Sequence, residues 1–247
     1  MSQLTTLSGN TLWYPHPEDA RYTLPDIAHA LSLLCRFNGH VEAFYSVAQH
    51  SVLVTFLCAQ RFRAHWDAPR LRAALMHDAA EAYVGDLPTP LKEVLPEFRR
   101  LEKRVEAAIF AAFDLPDLEH APGLREDIKW ADTLALSLEV RSFRGVSREW
   151  TPRAFGADYF RAADFVADHL LAGLRATVFL DDGAEVHFWN ALRSILDEDF
   201  VRALPASTVL VADSRFNFRL RALSPAAAES LFLETHHQLT RSKPCLH

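Results

Sequence analysis

Apolar residues recur at helical spacing through most of the first 174 positions, and the runs are broken at glycine and proline. Residues 1–24 carry too many prolines, glycines and polar groups for regular structure, apart from an extended piece near Leu12–Tyr14. A helix is expected from Pro25: Thr23 is placed to cap it, and Asp26 lies three residues on as in a capping box. It should stop at Cys35–Arg36, because Asn38-Gly39 follows. Tyr45–Arg61 reads as a second helix with Val47, His50, Val54, Leu57 and Cys58 on one stripe. A third runs over Pro69–Val84 and ends at Gly85, before a proline-rich turn at residues 86–90. Phe98–Phe113 is a strongly amphipathic fourth. Ile128–Arg144 is a fifth, with Ile128, Asp132, Ala135, Leu136 and Glu139 on one face, and Tyr159–Leu174 is a sixth.

The period changes near residue 175. Residues 176–180 and 184–189 alternate like the strands of a hairpin around Asp181-Asp182-Gly183. A helix at Ala191–Ala203, a strand-like run from Thr208 to Arg219 and a last helix at Pro225–Leu239 follow. The expected architecture is therefore mainly α: a helical domain of about six helices over residues 1–174, and a small α+β appendage over residues 175–247.

Composition narrows the class. Hydrophobic residues make up 49% and charged residues 23% of 247, which is enough apolar material for a substantial core. A net charge of −6 argues against bulk electrostatic binding to nucleic acid or to an anionic membrane. No apolar run approaches the length of a membrane span, and the first residues lack the basic and apolar regions of a secretory signal. Cys35, Cys58 and Cys245 form no metal or redox spacing, and their odd count suits reduced thiols; a cytoplasmic location is the expectation.

The candidate chemistry lies on faces that should be apolar. His50 is on the buried stripe of its helix and Asp132 on that of another, where an unpaired carboxylate costs several kcal/mol of desolvation. His77 and Asp78 are adjacent in LMHDAAEAY, and Glu81 follows one turn later, so all three can look toward one point. Two imidazoles and two carboxylates suit one divalent ion with positions left for water and substrate oxygens; Mn²⁺, Co²⁺, Fe²⁺, Zn²⁺ and Mg²⁺ all fit that donor set. Each residue taken singly has an ordinary structural explanation, and the ordered set carries the signal.

That set, YSVAQHS, then LMHDAAEAYVGDLPTP, then IKWADTLALSLE, resembles the HD-domain metal-dependent phosphohydrolases, and within them the 5′-deoxynucleotidase-like branch. The resemblance covers roughly residues 10–145. It implies a helical HD-domain bundle, one divalent metal held by His50, His77, Asp78 and Asp132, and Glu81 as general acid or base or as the group orienting the attacking water. It implies that Asp86 positions substrate or metal, that Arg36 in CRFNGH meets the substrate phosphate, and that Phe37 lies near sugar or base where relatives often carry Trp. Arginine suits that role because its planar fork of donors matches a phosphoryl group. Lys92 and Glu139 stand near these motifs; Lys92 reads as a solvated surface residue, and Glu139 as a group behind the site or a partner of Arg141 or Arg144.

The implied reaction is hydrolysis of a nucleoside 5′-monophosphate by a metal-activated water, with a small phosphorylated substrate as the partner and a homodimer by analogy. A deoxynucleoside triphosphate phosphohydrolase would use the same ligands, and a nucleotide-sensing protein would keep them without turnover. A two-iron oxygenase needs further histidines, and between Asp78 and Asp132 there is His120 alone.

Overall fold

The computed structural model describes residues 2–61, 67–144, 220 and 222–241. Among them are eight α-helices and one two-stranded antiparallel sheet. The helices are α1 (Leu24–Leu33), α2 (Val47–Arg61), α3 (Ala68–Leu75), α4 (Glu81–Val84), α5 (Thr89–Val94), α6 (Pro96–Ala112), α7 (Leu124–Phe143) and α8 (Pro225–Arg241). The strands β1 (Gln3–Thr5) and β2 (Thr11–Trp13) pair with Leu4 opposite Leu12, so the sheet is N-terminal. The helix expected at 159–174, the hairpin at 176–189, the helix at 191–203, the strand-like run at 208–219 and the boundary at 174/175 lie outside the described residues.

The helix α2 is the axis of the fold. From Tyr45 to Ala59 every side chain is buried, and α1, α3, α7 and α8 pack around it. A helix enclosed on all sides must satisfy its own polar groups. Ser51 and Thr55 donate to the carbonyls of Val47 and Ser51 at 3.0 and 2.8 Å, and the Gln49 side-chain carbonyl accepts the Leu223 N–H at 3.0 Å. His50, also on α2, finds its side-chain partners on other segments of the chain, and the site grows from it.

The last helix belongs to the same core. Ala228, Phe232 and Leu239 of α8 are buried against α1, α2 and α3. Glu229 reaches His29 of α1 at 3.1 Å. Burying one large apolar side chain of this kind contributes about 1.5–3 kcal/mol, so α8 is part of what holds α2 in place.

The expected third helix is two helices. It stops at Leu75, and Met76 to Ala80 form turns before α4 begins at Glu81. The cause is local. The Ala74 carbonyl, which a continuing helix would hand to the Asp78 N–H, accepts from the His77 ring Nδ1 at 2.8 Å and from the His77 N–H at 3.4 Å. The expected proline-rich turn likewise contains a short helix, α5, because Pro90 preorganises its first turn. The Thr23 cap is present: its side chain accepts the Asp26 N–H at 3.3 Å.

Candidate metal centre

Arg36 is brought to the start of α2 by an antiparallel bridge between Cys35 and Ser46 and by its own N–H, which donates to the Tyr45 carbonyl at 2.9 Å. Directly after it the chain turns through left-handed backbone at Phe37, Asn38 and Gly39, with φ of 58°, 52° and 76°. That conformation is natural for glycine and costs a bulky side chain on the order of 1–2 kcal/mol. Phe37 is half-buried and offers its ring to two guanidiniums, Arg36 at 5.6 Å and Arg144 at 5.4 Å.

His50, fully buried, faces two ways. Its Nδ1 is 2.6 Å from Glu139 Oε1, and its Nε2 lies 3.4 Å from Asp78 Oδ2 and 3.3 Å from Asp132 Oδ1. His77 repeats the pattern: Nδ1–H donates to the Ala74 carbonyl, and Nε2 is 3.3 Å from Asp78 Oδ2. Neither Nε2 has a hydrogen-bond partner, because those close approaches lack hydrogen-bond alignment. With Nδ1 as the donor, the neutral form of each imidazole would turn an Nε2 lone pair toward carboxylate oxygens that are also electron-rich. A cation between them resolves the conflict, and the arrangement of Nδ1 on a carboxylate or carbonyl is the one metal-bound histidines adopt. One donor atom each from His50, His77 and Asp78 lies within 4.8 Å of the others, and this group has the geometry to hold a metal ion.

Asp132 comes in from α7 on the same side of His50. Its Oδ1 faces Nε2, and its Oδ2 accepts from Lys129 Nζ at 2.7 Å. Burial opposes ionisation of both Asp78 and Asp132, but the imidazoles beside them hold both carboxyls below the usual carboxylate range. Burial and the Arg36 guanidinium push the His50 imidazole down, and Glu139, Asp132 and Asp78 outweigh them, so it sits well above the ordinary histidine value.

Glu139 is the hub behind the centre. Fully buried on α7, it accepts from His50 Nδ1, from Arg36 Nε at 3.1 Å and from the Tyr45 hydroxyl at 3.1 Å. Arg36, from the segment before α2, is an arginine partner of this carboxylate. Arg36 also lies 3.6 Å from Asp78 Oδ2, so the arginine expected to meet phosphate is already bound into the carboxylates of the site. Burial works against its charge, and Glu139, Asp78, Asp86 and Asp132 restore it.

Glu81 begins α4 and is nearly enclosed, with 5% exposure. Burial together with Asp78 and Asp86 pushes its carboxyl well above the usual range, against the pull of Lys92 and Arg36. Asp86 is half-buried; burial raises its carboxyl, and the nearby Arg36 partly offsets this. A cavity of about 380 Å³ opens beside the centre, lined by His77, Asp78, Glu81 and Asp132 and by the cations Lys92, Arg99, Lys103, Arg125 and Lys129. Arg36, Phe37 and Asp86 are not in that lining. Lys92, expected to be a solvated surface residue, points into the cavity and bonds Glu81; its position just past the proline-rich turn was the one hint in the sequence.

A helical bundle that gathers His50, His77 and Asp78 into a group able to hold a metal ion fits the HD type, and comparison with known proteins agrees. The family described as 5′-deoxynucleotidase YfbR-like matches residues 36–118, a stretch that holds Arg36, His50, His77, Asp78 and Glu81. The chain is 40% identical over 141 residues to the uncharacterized protein YfdR of Escherichia coli, covering 57% of this chain and 72% of that protein. It is 38% identical over 153 residues to the uncharacterized protein RCAP_rcc00048 of Rhodobacter capsulatus, covering 61% of this chain and 77% of that protein. A shorter match, 37% identical over 71 residues, is to the 5′-deoxynucleotidase VV1113 of Vibrio vulnificus, covering 26% of this chain and 37% of that protein. The chain belongs to the YfbR-like 5′-deoxynucleotidase family of HD-domain proteins. No helix among the described residues is long and apolar enough to cross a membrane.

Proposed function

We propose that this protein is a metal-dependent phosphohydrolase that converts (deoxy)nucleoside 5′-monophosphates to nucleoside and phosphate. The observation that carries the reading is the pair of unpartnered Nε2 atoms of His50 and His77 turned toward Asp78. His50, His77, Asp78 and Asp132 hold the divalent ion in this reading. When bound, the ion supplies Lewis-acid polarisation of a phosphoryl oxygen and acidifies water. Arg36 offsets negative charge on the phosphoryl oxygens from the Glu139 side, while Glu81 moves or holds a proton at its free Oε2. Asp86 orients the substrate, and the Phe37 ring meets the sugar or base.

One observation favours a second reading. Three cations of the cavity wall, Arg99, Lys103 and Arg125, hold no carboxylate closer than 3.5 Å among the described residues, and such donors suit the extra phosphates of a nucleoside triphosphate. Phosphate release by metal-stripped protein resupplied with Mn²⁺, Co²⁺ or Mg²⁺ separates the two. Metal-dependent release from ribo- or deoxyribonucleoside monophosphates, absent in Asp78→Ala, supports the first; release from triphosphates alone supports the second. Silence across the panel overturns both.

A further inference from the structure

The cavity beside the centre is walled by two helical stripes. Arg99, Glu102, Lys103 and Glu106 of α6 line it at i, i+3, i+4 and i+7, and Arg125, Ile128, Lys129 and Asp132 of α7 repeat that spacing. Its cations divide into two sets. Lys92 Nζ donates to Glu81 at 3.2 Å and to Glu102 at 2.6 Å, and Lys129 Nζ donates to Asp132 at 2.7 Å. The other three are held more loosely. Arg99 pairs with no carboxylate among the described residues, Lys103 lies 3.5 Å from Glu119, and Arg125 lies 3.6 Å from Glu106 and 3.8 Å from Glu119. Those distances are at or beyond the limit of a good hydrogen bond.

We infer that Arg99, Lys103 and Arg125 form a second phosphate subsite, and that the nucleotide hydrolysed here carries a phosphate on each side of its sugar, as a nucleoside 3′,5′-bisphosphate does. The inference rests on the phosphohydrolase reading above and narrows its substrate class. Asp132, beside His50, and Arg125 are two turns apart on α7, a rise of about 10 Å. A phosphate joined directly to the one at the metal group would meet Lys92 and Lys129, whose ammoniums are already bonded to carboxylates. The loosely held cations stand further out, and a sugar between two phosphates spans such a gap. Two guanidiniums present planar forks of donors and Lys103 a point charge, which together suit the several acceptor oxygens of a phosphate. Glu106 and Glu119 oppose an anion there, but they face these cations at 3.5 Å or more, so charge-assisted bonds to phosphate gain more than they displace. In the reaction water adds to the 5′ phosphorus and the 5′ P–O bond breaks, giving a nucleoside 3′-phosphate and inorganic phosphate.

The plainer role of the three cations is to offset the acidic residues around them, and binding tells the two roles apart. Deoxyadenosine 3′,5′-bisphosphate, 5′-monophosphate and 5′-triphosphate are compared in two ways. Calorimetric titration of metal-stripped protein gives Kd, and initial rates with Mn²⁺ give KM and kcat. Both are measured on wild type, on the double variant Arg99→Gln/Arg125→Gln and on Arg100→Gln, each checked by circular dichroism. Arg100 is an exposed α6 cation paired with Glu97 and outside the cavity wall, so its variant controls for lost charge alone. Wild type should show Kd and KM for the bisphosphate at least about 10-fold below those for the monophosphate, as expected of one hydrogen bond to a charged group. The double variant should lose most of that preference, Arg100→Gln should keep it, and added salt should shrink it. A preference for the triphosphate but not for the bisphosphate places the cations on a polyphosphate chain and overturns the inference. So does a wild type without preference, or a bisphosphate preference that survives in the double variant; turnover of the monophosphate leaves the phosphohydrolase reading standing in each case. No turnover of any nucleotide overturns that reading, and the Kd comparison on stripped protein then decides the subsite by itself.

Discussion

Replacing Glu139 by glutamine tests the core of the site, because one buried carboxylate serves three donors there: His50 Nδ1 at 2.6 Å, Arg36 Nε at 3.1 Å and the Tyr45 hydroxyl at 3.1 Å. Glutamine keeps the volume and one carbonyl oxygen but removes the charge and turns an NH₂ toward one of the donors. Stranding a buried charge by removing its partner costs about 3–5 kcal/mol. Arg36 keeps Asp78 at 3.6 Å, so the low end, about 3 kcal/mol, is expected for the metal-free protein. That is a large part of a typical domain's stability of about 5–15 kcal/mol, yet it leaves a folded protein. The second effect is on the metal. A histidine that loses the group orienting its far nitrogen binds its ion about 10–100-fold more weakly, or about 1.4–2.7 kcal/mol. Urea unfolding of stripped protein reads the first number, and calorimetric titration with Mn²⁺ reads the second. Tyr45→Phe is the comparator: it removes one hydrogen bond to the same carboxylate without touching His50, so it should cost stability and leave metal affinity within about 2-fold. Unchanged metal affinity in Glu139→Gln would mean that the contact to His50 is packing alone. A stability loss under about 1 kcal/mol would mean that Arg36 does not depend on this carboxylate.

Three further outcomes are expected. An ion at about 100 times its Kd should stabilise the wild type by about 2.7 kcal/mol, and Asp78→Ala should show no such gain in a melt with and without chelator while its helical circular dichroism persists. Burial works against ionisation of Asp26, but hydrogen bonds from Ser8, Asn10 and Thr23 outweigh it and hold the carboxyl far below its ordinary value. A depressed carboxyl contributes stability that is present above its unfolded pKa and lost as pH falls toward the folded one. Asp26→Asn should therefore be about 1–3 kcal/mol less stable near neutrality, and the gap should narrow as acid unfolding is followed below about pH 4. In α8, burial, Arg72 and His237 pull the His236 imidazole down to about 4. It stays neutral in the folded chain while the unfolded chain takes up a proton below the ordinary histidine value, so stability should fall by as much as about 3 kcal/mol as pH drops toward 4. His236→Gln should flatten that stretch of the stability–pH curve, and an unchanged slope would assign the acid sensitivity to other groups.

Which side chains gather around His50 was more legible than the backbone that carries them, and the reason lies in where each kind of information resides. His50 and Asp132 announced themselves because a polar side chain on a buried helical stripe is expensive, and the expense is visible as a break in period. The same rule picked out Glu139 as a group behind the site but could not choose its partner. Its partner in the fold is Arg36, 103 positions away, and only the packing of α2 on α7 brings them together. Lys92 was passed over because a lysine in a polar turn looks the same whether its ammonium meets water or two carboxylates. The misread helix at 69–84 has the opposite origin. Its apolar spacing is helical throughout, but the His77 ring takes the Ala74 carbonyl that the helix would have used, and the backbone turns at the residues that must converge on His50. Periodicity reports what a segment buries and is blind to a side chain that competes for a main-chain acceptor. The local rule therefore failed at His77, where the geometry of the candidate metal centre overrides local helix propensity.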